Sequence, residues 1–328
     1  MQDANGSHIL IAENLTKTYD GKLALRGLSF SLQAGHILGF LGPNGAGKTT
    51  AIRILTTIFE PTSGQFYVDG ISSANPEKIR RRIGVLPESL GFPKQMTGLE
   101  FLSYFGQHYG YKPAAAREKA ALLLEEVGLA EKGKAEIGTY SRGMRQRLGI
   151  ARALVNDPIV VFLDEPTLGL DPRGKMELLT LTKRIASERN AGVIFCSHLL
   201  TEVEDLCDDV VILREGQIVA TGTVRDVVEQ SNRNIIRIRS LKENLPAAQN
   251  TLTSLPGIAS VSANGGKSDV LELQIADGVV KNSPDDVKLK NRILDSLLQA
   301  GIPVLNFDAD SSNRLQDIFF QLTENSKS

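Results

Sequence analysis

The chain has 328 residues, with 37 basic and 38 acidic side chains. That length suits one large domain plus a smaller one, since single cores stop growing near ~250–300 residues, and the balanced charge removes any global electrostatic case for nucleic acid. No window approaches the ~20 consecutive apolar residues of a membrane helix. The first ten residues lack the pattern of a secretory signal. Two cysteines without metal or CxxC spacing fit a reduced, cytosolic chain, and the four histidines are too scattered for a metal cage.

In chain order, residues 9–32 alternate in polarity around Asp20-Gly21, which predicts a hairpin and a small antiparallel sheet. Ile37–Leu41 is a continuous apolar run, as are 159–163, 193–196 and 210–213. Runs this short, rich in β-branched residues, predict strands covered on both faces of a parallel sheet. Polar residues follow three of them at once: Gly42 onward, Asp164-Glu165 and Ser197-His198. Open parallel sheets bind ligands beyond the carboxyl ends of their strands, so three distant segments are expected to converge. Arg80-Arg81-Arg82 reads as a solvated helix face. From 98 to 154 the period becomes helical, as at 114–127, which predicts an inserted helical subdomain over about 95–154.

Composition shifts at 230–234. Beyond it the pattern predicts strand (235–239), helix (245–255), strand (Ile258–Ala263), a turn at Asn264-Gly265-Gly266, strand (Val270–Ile275), helix (289–299), strand (304–307) and a last helix over 315–322. That order matches the ferredoxin-like split motif. The expected division is a first domain at 1–230 and a small α+β domain at 231–328.

Gly42-Pro43-Asn44-Gly45-Ala46-Gly47-Lys48-Thr49, followed by Thr50, fits G-x-x-x-x-G-K-[ST] between a strand and a helix. Glycines let the backbone curl so that N–H groups face phosphate oxygens, and the helix from about Lys48 presents its positive end to the same anion. Lys48 is placed to reach β- and γ-phosphates, and the Thr49 hydroxyl to ligate Mg²⁺. Strand side chains alternate, so Asp164 and Glu165 cannot share a role: Asp164 suits Mg²⁺, mainly through water, and Glu165 suits the attacking water. Taken alone, the two acids could simply end a strand. His198, at a third strand end, is a candidate γ-phosphate contact; a lone histidine is more often structural.

Tyr140-Ser141-Arg142-Gly143-Met144-Arg145-Gln146-Arg147 resembles the signature of ATP-binding-cassette (ABC) ATPases, in a form similar to exporter cassettes of the ABC-2 type. Against the usual Leu-Ser-Gly-Gly-Gln core, Ser141 and Gly143 match, while Tyr140, Arg142 and Met144 depart. Other family motifs follow in order over residues 8–230. Tyr19 matches the aromatic that stacks on adenine, with hairpin capping as its alternative role. Glu88 holds the position of the Q-loop glutamine, where it can accept from a water on Mg²⁺. Asp171 matches the D-loop and His198 the switch histidine. The resemblance implies an α/β fold: a P-loop NTPase core with parallel sheet, antiparallel β subdomain and helical subdomain, followed by a small C-terminal domain. It implies ATP and Mg²⁺ as ligands, hydrolysis by Glu165 with His198, and head-to-tail pairing with a second cassette whose Ser141 and Gly143 cover the ATP. It also implies an integral-membrane permease as partner, with the chain peripheral on the cytoplasmic face. Two other classes are weighed. A DNA- or ribosome-acting mechanoenzyme is disfavoured by the single cassette and by only about ninety residues between loop and signature, without heptads. An ATP-sensing module is kept open by Glu88 and the unusual signature.

Overall fold

A computed structural model describes residues 8–89, 91–230, 235–263, 269–276, 283–308 and 315–324. The expected shift at 231–234, the turn at Asn264-Gly265-Gly266 and most of the first ten residues lie outside them.

β1 (His8–Tyr19) and β2 (Lys22–Gln33) form the predicted hairpin. Asp20 and Gly21 both take positive φ, 47° and 78°, the left-handed pair that matches strand twist in a two-residue turn. β3 (Ile37–Leu41) then leads through a glycine loop into α1 (Lys48–Leu55). β4 (Ser63–Val68), β5 (Ile71–Ser72), α2 (Pro76–Arg80) and β6 (Ile83–Leu86) follow. Arg80, Arg81 and Arg82 are all exposed, but the helix ends at the first of them, and Arg82 reaches Asp69 at 3.5 Å. The helical stretch holds α3 (Gly98–His108), α4 (Pro113–Glu126) and α5 (Arg142–Ala153). Thr97 and Glu100 cap α3 reciprocally: Glu100 N donates to Thr97 Oγ1 and Thr97 N to Glu100 Oε2. The core resumes with β7 (Val160–Asp164), α6 (Pro172–Arg189), β8 (Gly192–Cys196), α7 (Leu200–Leu206), β9 (Asp209–Arg214), β10 (Gln217–Thr223) and α8 (Val224–Gln230).

Two sheets share this first unit. β2-β1-β4-β5 is antiparallel. β10-β9-β3-β8-β7-β6 is parallel except for its antiparallel edge strand β10. β3 and β8, in the middle, are buried at every position, as continuous apolar runs in a covered parallel sheet should be. Gly39 lets α7 sit directly on β3: a Cβ there would lie 2.4 Å from Val203 Cγ1 and 3.1 Å from Cys207 Sγ. At the end of α6, Arg189 forks onto both carboxylate oxygens of Glu126 in α4, at 2.7 and 2.6 Å, and reaches Asp157 at 3.0 Å. This bidentate geometry fastens the helical stretch to α6.

The second compact unit spans Val228–Ile318. It contains β11 (Ile235–Ser240), α9 (Leu245–Thr253), β12 (Ile258–Ala263), β13 (Val270–Ile275), α10 (Pro284–Gln299), β14 (Val304–Asp308) and the start of α11 (Leu315–Glu324). The strands pair antiparallel in the order β12-β13-β11-β14. Ala248, Leu252, Leu289, Ile293 and Leu297 from the helices pack on Ile236, Ile238, Leu271 and Leu273 from the sheet. α10 begins earlier than its apolar period suggests, because Ser283 caps it by accepting from Asp286 N at 3.2 Å and Pro284 opens its first turn. The expected boundary at 231–328 needs amending at its end. From Phe319 the last helix groups with the first unit, where Arg214 donates to Leu322 O at 2.9 Å.

Candidate functional site

The loop after β3 turns on itself, with Ala46 N donating to Pro43 O at 3.1 Å, and is pinned from outside by Gly216 N donating to Ala46 O at 3.0 Å. Gly47 precedes α1 at φ 104°, and a Cβ there would strike Leu25 Cδ2 at 2.7 Å. Only glycine suits both the conformation and the space. The start of α1 has no side-chain cap and no acid in its first turn. Its free N–H groups and dipole would therefore meet an anion unopposed. Lys48 curls over the loop and donates to the carbonyls of Gly42 and Pro43.

Opposite this loop stand the other strand ends. Asp164 closes β7. Burial, reinforced by Glu88 and Glu165 and opposed by Lys48, pushes its carboxyl up to about 6. Glu165 follows with φ 49°, a left-handed conformation rare for a side-chain-bearing residue. Its N–H donates to Cys196 O at 3.0 Å, which fixes it against the end of β8. Its Oε2 lies 2.7 Å from His198 Nδ1. A cleft of about 490 Å³ is lined by Asn44, Gly45, Gly47, Lys48, Thr49, Thr50, Glu88, Asp164, Glu165 and His198. The expected convergence of three segments thus occurs, and Glu88, just past β6, adds a fourth. Gly42 stands at the base of the loop.

The residues also suit a divalent cation. Two carboxyl groups crowd Asp164 with only partial compensation from Lys48 and Arg53, and the Thr49 hydroxyl shares the cleft. Among the described residues no group of three or more His, Cys, Asp or Glu could enclose a metal alone. That donor set fits Mg²⁺, which keeps waters and takes phosphate oxygens.

Besides Gly42, four predicted residues stand outside the cleft lining. Tyr19 packs edge-to-face on Phe59, ring centroids 6.1 Å apart, with Lys17 Nζ 5.4 Å from its own ring centroid. Ser141 is exposed and caps α5, accepting from Met144 N at 3.2 Å, and Gly143 lies in the first turn of that helix. Asp171 caps α6, accepting from Gly174 N at 3.1 Å. Arg142 covers Gly169, where a Cβ would lie 2.6 Å from its guanidinium carbon. Both buried thiols, Cys196 and Cys207, are pushed well above their ordinary range, chiefly by burial, so neither is poised as a nucleophile.

Sequence reasoning did not anticipate Ala24 and Leu168 in the lining, or the buried Glu202 behind it. Glu202 had a signal: with Leu199, Val203 and Leu206 it falls at i, i+3, i+4 and i+7, the inward face of α7.

The family model described as ABC transporter matches residues 25–168. The ABC transporter ATP-binding protein YxlF of Bacillus subtilis (strain 168) is 32% identical over 96% of this chain and 99% of its own length. The daunorubicin/doxorubicin resistance ATP-binding protein DrrA of Streptomyces peucetius is 37% identical over 69% of this chain and 68% of its own. Bacitracin transport ATP-binding protein BcrA of Bacillus licheniformis is 39% identical over 73% and 77%. Among solved structures, an ATP-binding subunit of an ABC transporter aligns at TM-score 0.60 and 30% identity, covering 68% of this chain and 92% of that one. A dimeric, post-hydrolysis ATP-binding cassette bound to ADP and Pi aligns at TM-score 0.59 and 25% identity, covering 65% and 98%.

Proposed function

The chain belongs to the ABC transporter family of ATP-binding subunits, and on that premise we propose that it hydrolyses ATP to drive export through a separate integral-membrane permease. The observation that carries this reading is the single cleft in which Lys48 and the uncapped start of α1 face the Glu165–His198 pair. The N–H groups of Gly45, Gly47, Lys48, Thr49 and Thr50 cradle the phosphates, and Lys48 turns from its carbonyl partners to the β- and γ-oxygens. Thr49, Asp164 and Glu88 would hold Mg²⁺, which when bound would neutralise charge on the phosphates. Glu165 takes the proton of the attacking water. His198 holds the Glu165 carboxylate through Nδ1, leaving Nε2 for the γ-phosphate. Tyr19 stacks on adenine.

Ser141, Gly143 and Asp171 complete a different site. A capped helix start without acids in its first turn is a donor for phosphate. Since it stands off the cleft of its own chain, we assign it to the ATP of a second copy paired head to tail. Relatives carry names of drug resistance and of antibiotic transport, so we place the cargo among drug-like small molecules. Among the described residues no helix is long and apolar enough to cross a membrane. Because its relatives are named as ATP-binding subunits of transporters, we place the chain at the cytoplasmic face, docked on its permease. Purification from solubilised membranes should yield the chain with an integral-membrane subunit that stimulates its ATPase. Recovery with ribosomes or DNA instead would contradict export.

A further inference from the structure

Behind the cleft lies a buried carboxyl that no step above uses. Glu202, on α7, has a side chain 7% exposed. Its Oε2 accepts from Thr167 Oγ1 at 2.6 Å and from Ser197 Oγ at 3.0 Å, and its Oε1 lies 3.4 Å from Lys175 Nζ. Ser197 Oγ in turn accepts from Leu199 N at 3.1 Å. Thr167 and Ser197 are each 1% exposed. Thr167 follows Glu165 by two residues and Ser197 precedes His198 by one. One oxygen therefore joins the loop carrying Glu165 to the loop carrying His198, through residues that do not line the cleft. The joint is firmly based, because the neighbouring Val203 seats α7 on Gly39 in the middle of β3.

We propose that Glu202 is a positioning residue: through Thr167 and Ser197 it sets the 2.7 Å contact between Glu165 and His198 and so the aim of the base at the attacking water. The inference rests on the ATP-hydrolysis reading above. It follows from how sharply rate depends on placement. A displacement of ~1 Å at a reacting group can cost about 100-fold in rate, while binding made elsewhere is kept. Nucleotide affinity comes from the glycine loop and Lys48, which make none of the contacts of Glu202.

The test is steady-state ATPase and ATP affinity of the full chain in six forms: wild type, Glu165→Gln, Glu202→Gln, Thr167→Val, Thr167→Ser and the double variant Glu202→Gln/Thr167→Val. Glu202→Gln keeps the shape but cannot accept both hydroxyl bonds on an equivalent oxygen while pairing with Lys175. It is expected to lower kcat about tenfold or more with KM for ATP and thermal midpoint little changed. Thr167→Val should reproduce that loss and Thr167→Ser, which restores the hydroxyl, should recover wild-type kcat. Combining Glu202→Gln with Thr167→Val should cost no more than the larger single effect, since both cut one link. Unchanged kcat in Glu202→Gln, a matching rise in KM, a kcat loss that only tracks the unfolded fraction, or Thr167→Ser as impaired as Thr167→Val would overturn the proposal. If wild type turns over ATP and Glu165→Gln does not, such a result sinks only the role of Glu202. If wild type itself shows no turnover, the hydrolysis reading fails and this inference falls with it.

Discussion

Glu165→Gln is expected to reduce ATP turnover by about 10²–10⁴-fold, the usual cost of losing a positioned base, with ATP affinity nearly unchanged. The substitution keeps the volume of a side chain held by its backbone bond to Cys196 O and by His198, so the cleft keeps its shape. What disappears is an oxygen basic enough to accept the proton of water. The loss should fall on kcat alone, the mark of an interaction made only in the transition state. Steady-state kinetics beside equilibrium ATP binding checks this. Near-wild-type turnover would remove Glu165 from the mechanism.

Lys48→Ala should do the opposite and weaken nucleotide binding itself. Lys48 brings the one ammonium group among the lining residues, and a hydrogen bond to a charged partner contributes roughly 1.5–3 kcal/mol. At ~1.4 kcal/mol per decade, Kd for ATP should rise about 10- to 100-fold. The fold should tolerate the change, since the ammonium bonds only to carbonyls of its own loop, Gly42 and Pro43. Calorimetric titration with ATP measures the effect directly. An unchanged Kd would mean that the loop does not hold the phosphates through Lys48.

Where function depends on one segment and its neighbours along the chain, the sequence was readable. β3 and β8 announced themselves because burial on both faces forbids polar residues within them, and the glycine loop because few backbones other than a phosphate cradle need that spacing. β10 escaped notice. It is an edge strand with alternating exposure and residues such as Ala220, Thr221 and Gly222, so it lacks a strong apolar signature. Its turn, Glu215-Gly216, with φ 48° and 80°, was the available clue. The start of α10 was missed for a different reason: its first turn, Pro284-Asp285-Asp286, is polar to suit the helix dipole, so an apolar period cannot find it.

The Glu202 junction illustrates a deeper limit. Thr167, Ser197 and Glu202 look unremarkable one by one. They acquire meaning only when parallel pairing of β7 with β8 brings the ends of those strands side by side. Ser141 and Gly143 mark the same limit at the scale of assembly. Their motif is plain in the sequence, yet they stand outside the cleft lined by Lys48, as the proposed head-to-tail site with walls from two chains requires. The contact of Arg142 with Gly169 links two motifs of one chain, and nothing in the motif spacing foretold it.

The most direct test of the half-site is the solution mass of the Glu165→Gln chain, measured by sedimentation with and without saturating ATP. Blocked hydrolysis should hold the closed pair together. The mass should double with ATP, return to the monomer value without it, and fail to double when Ser141→Arg is added, although ATP still binds. A chain that stays monomeric at saturating ATP, or that pairs equally well with Arg in place of Ser141, would contradict the composite site.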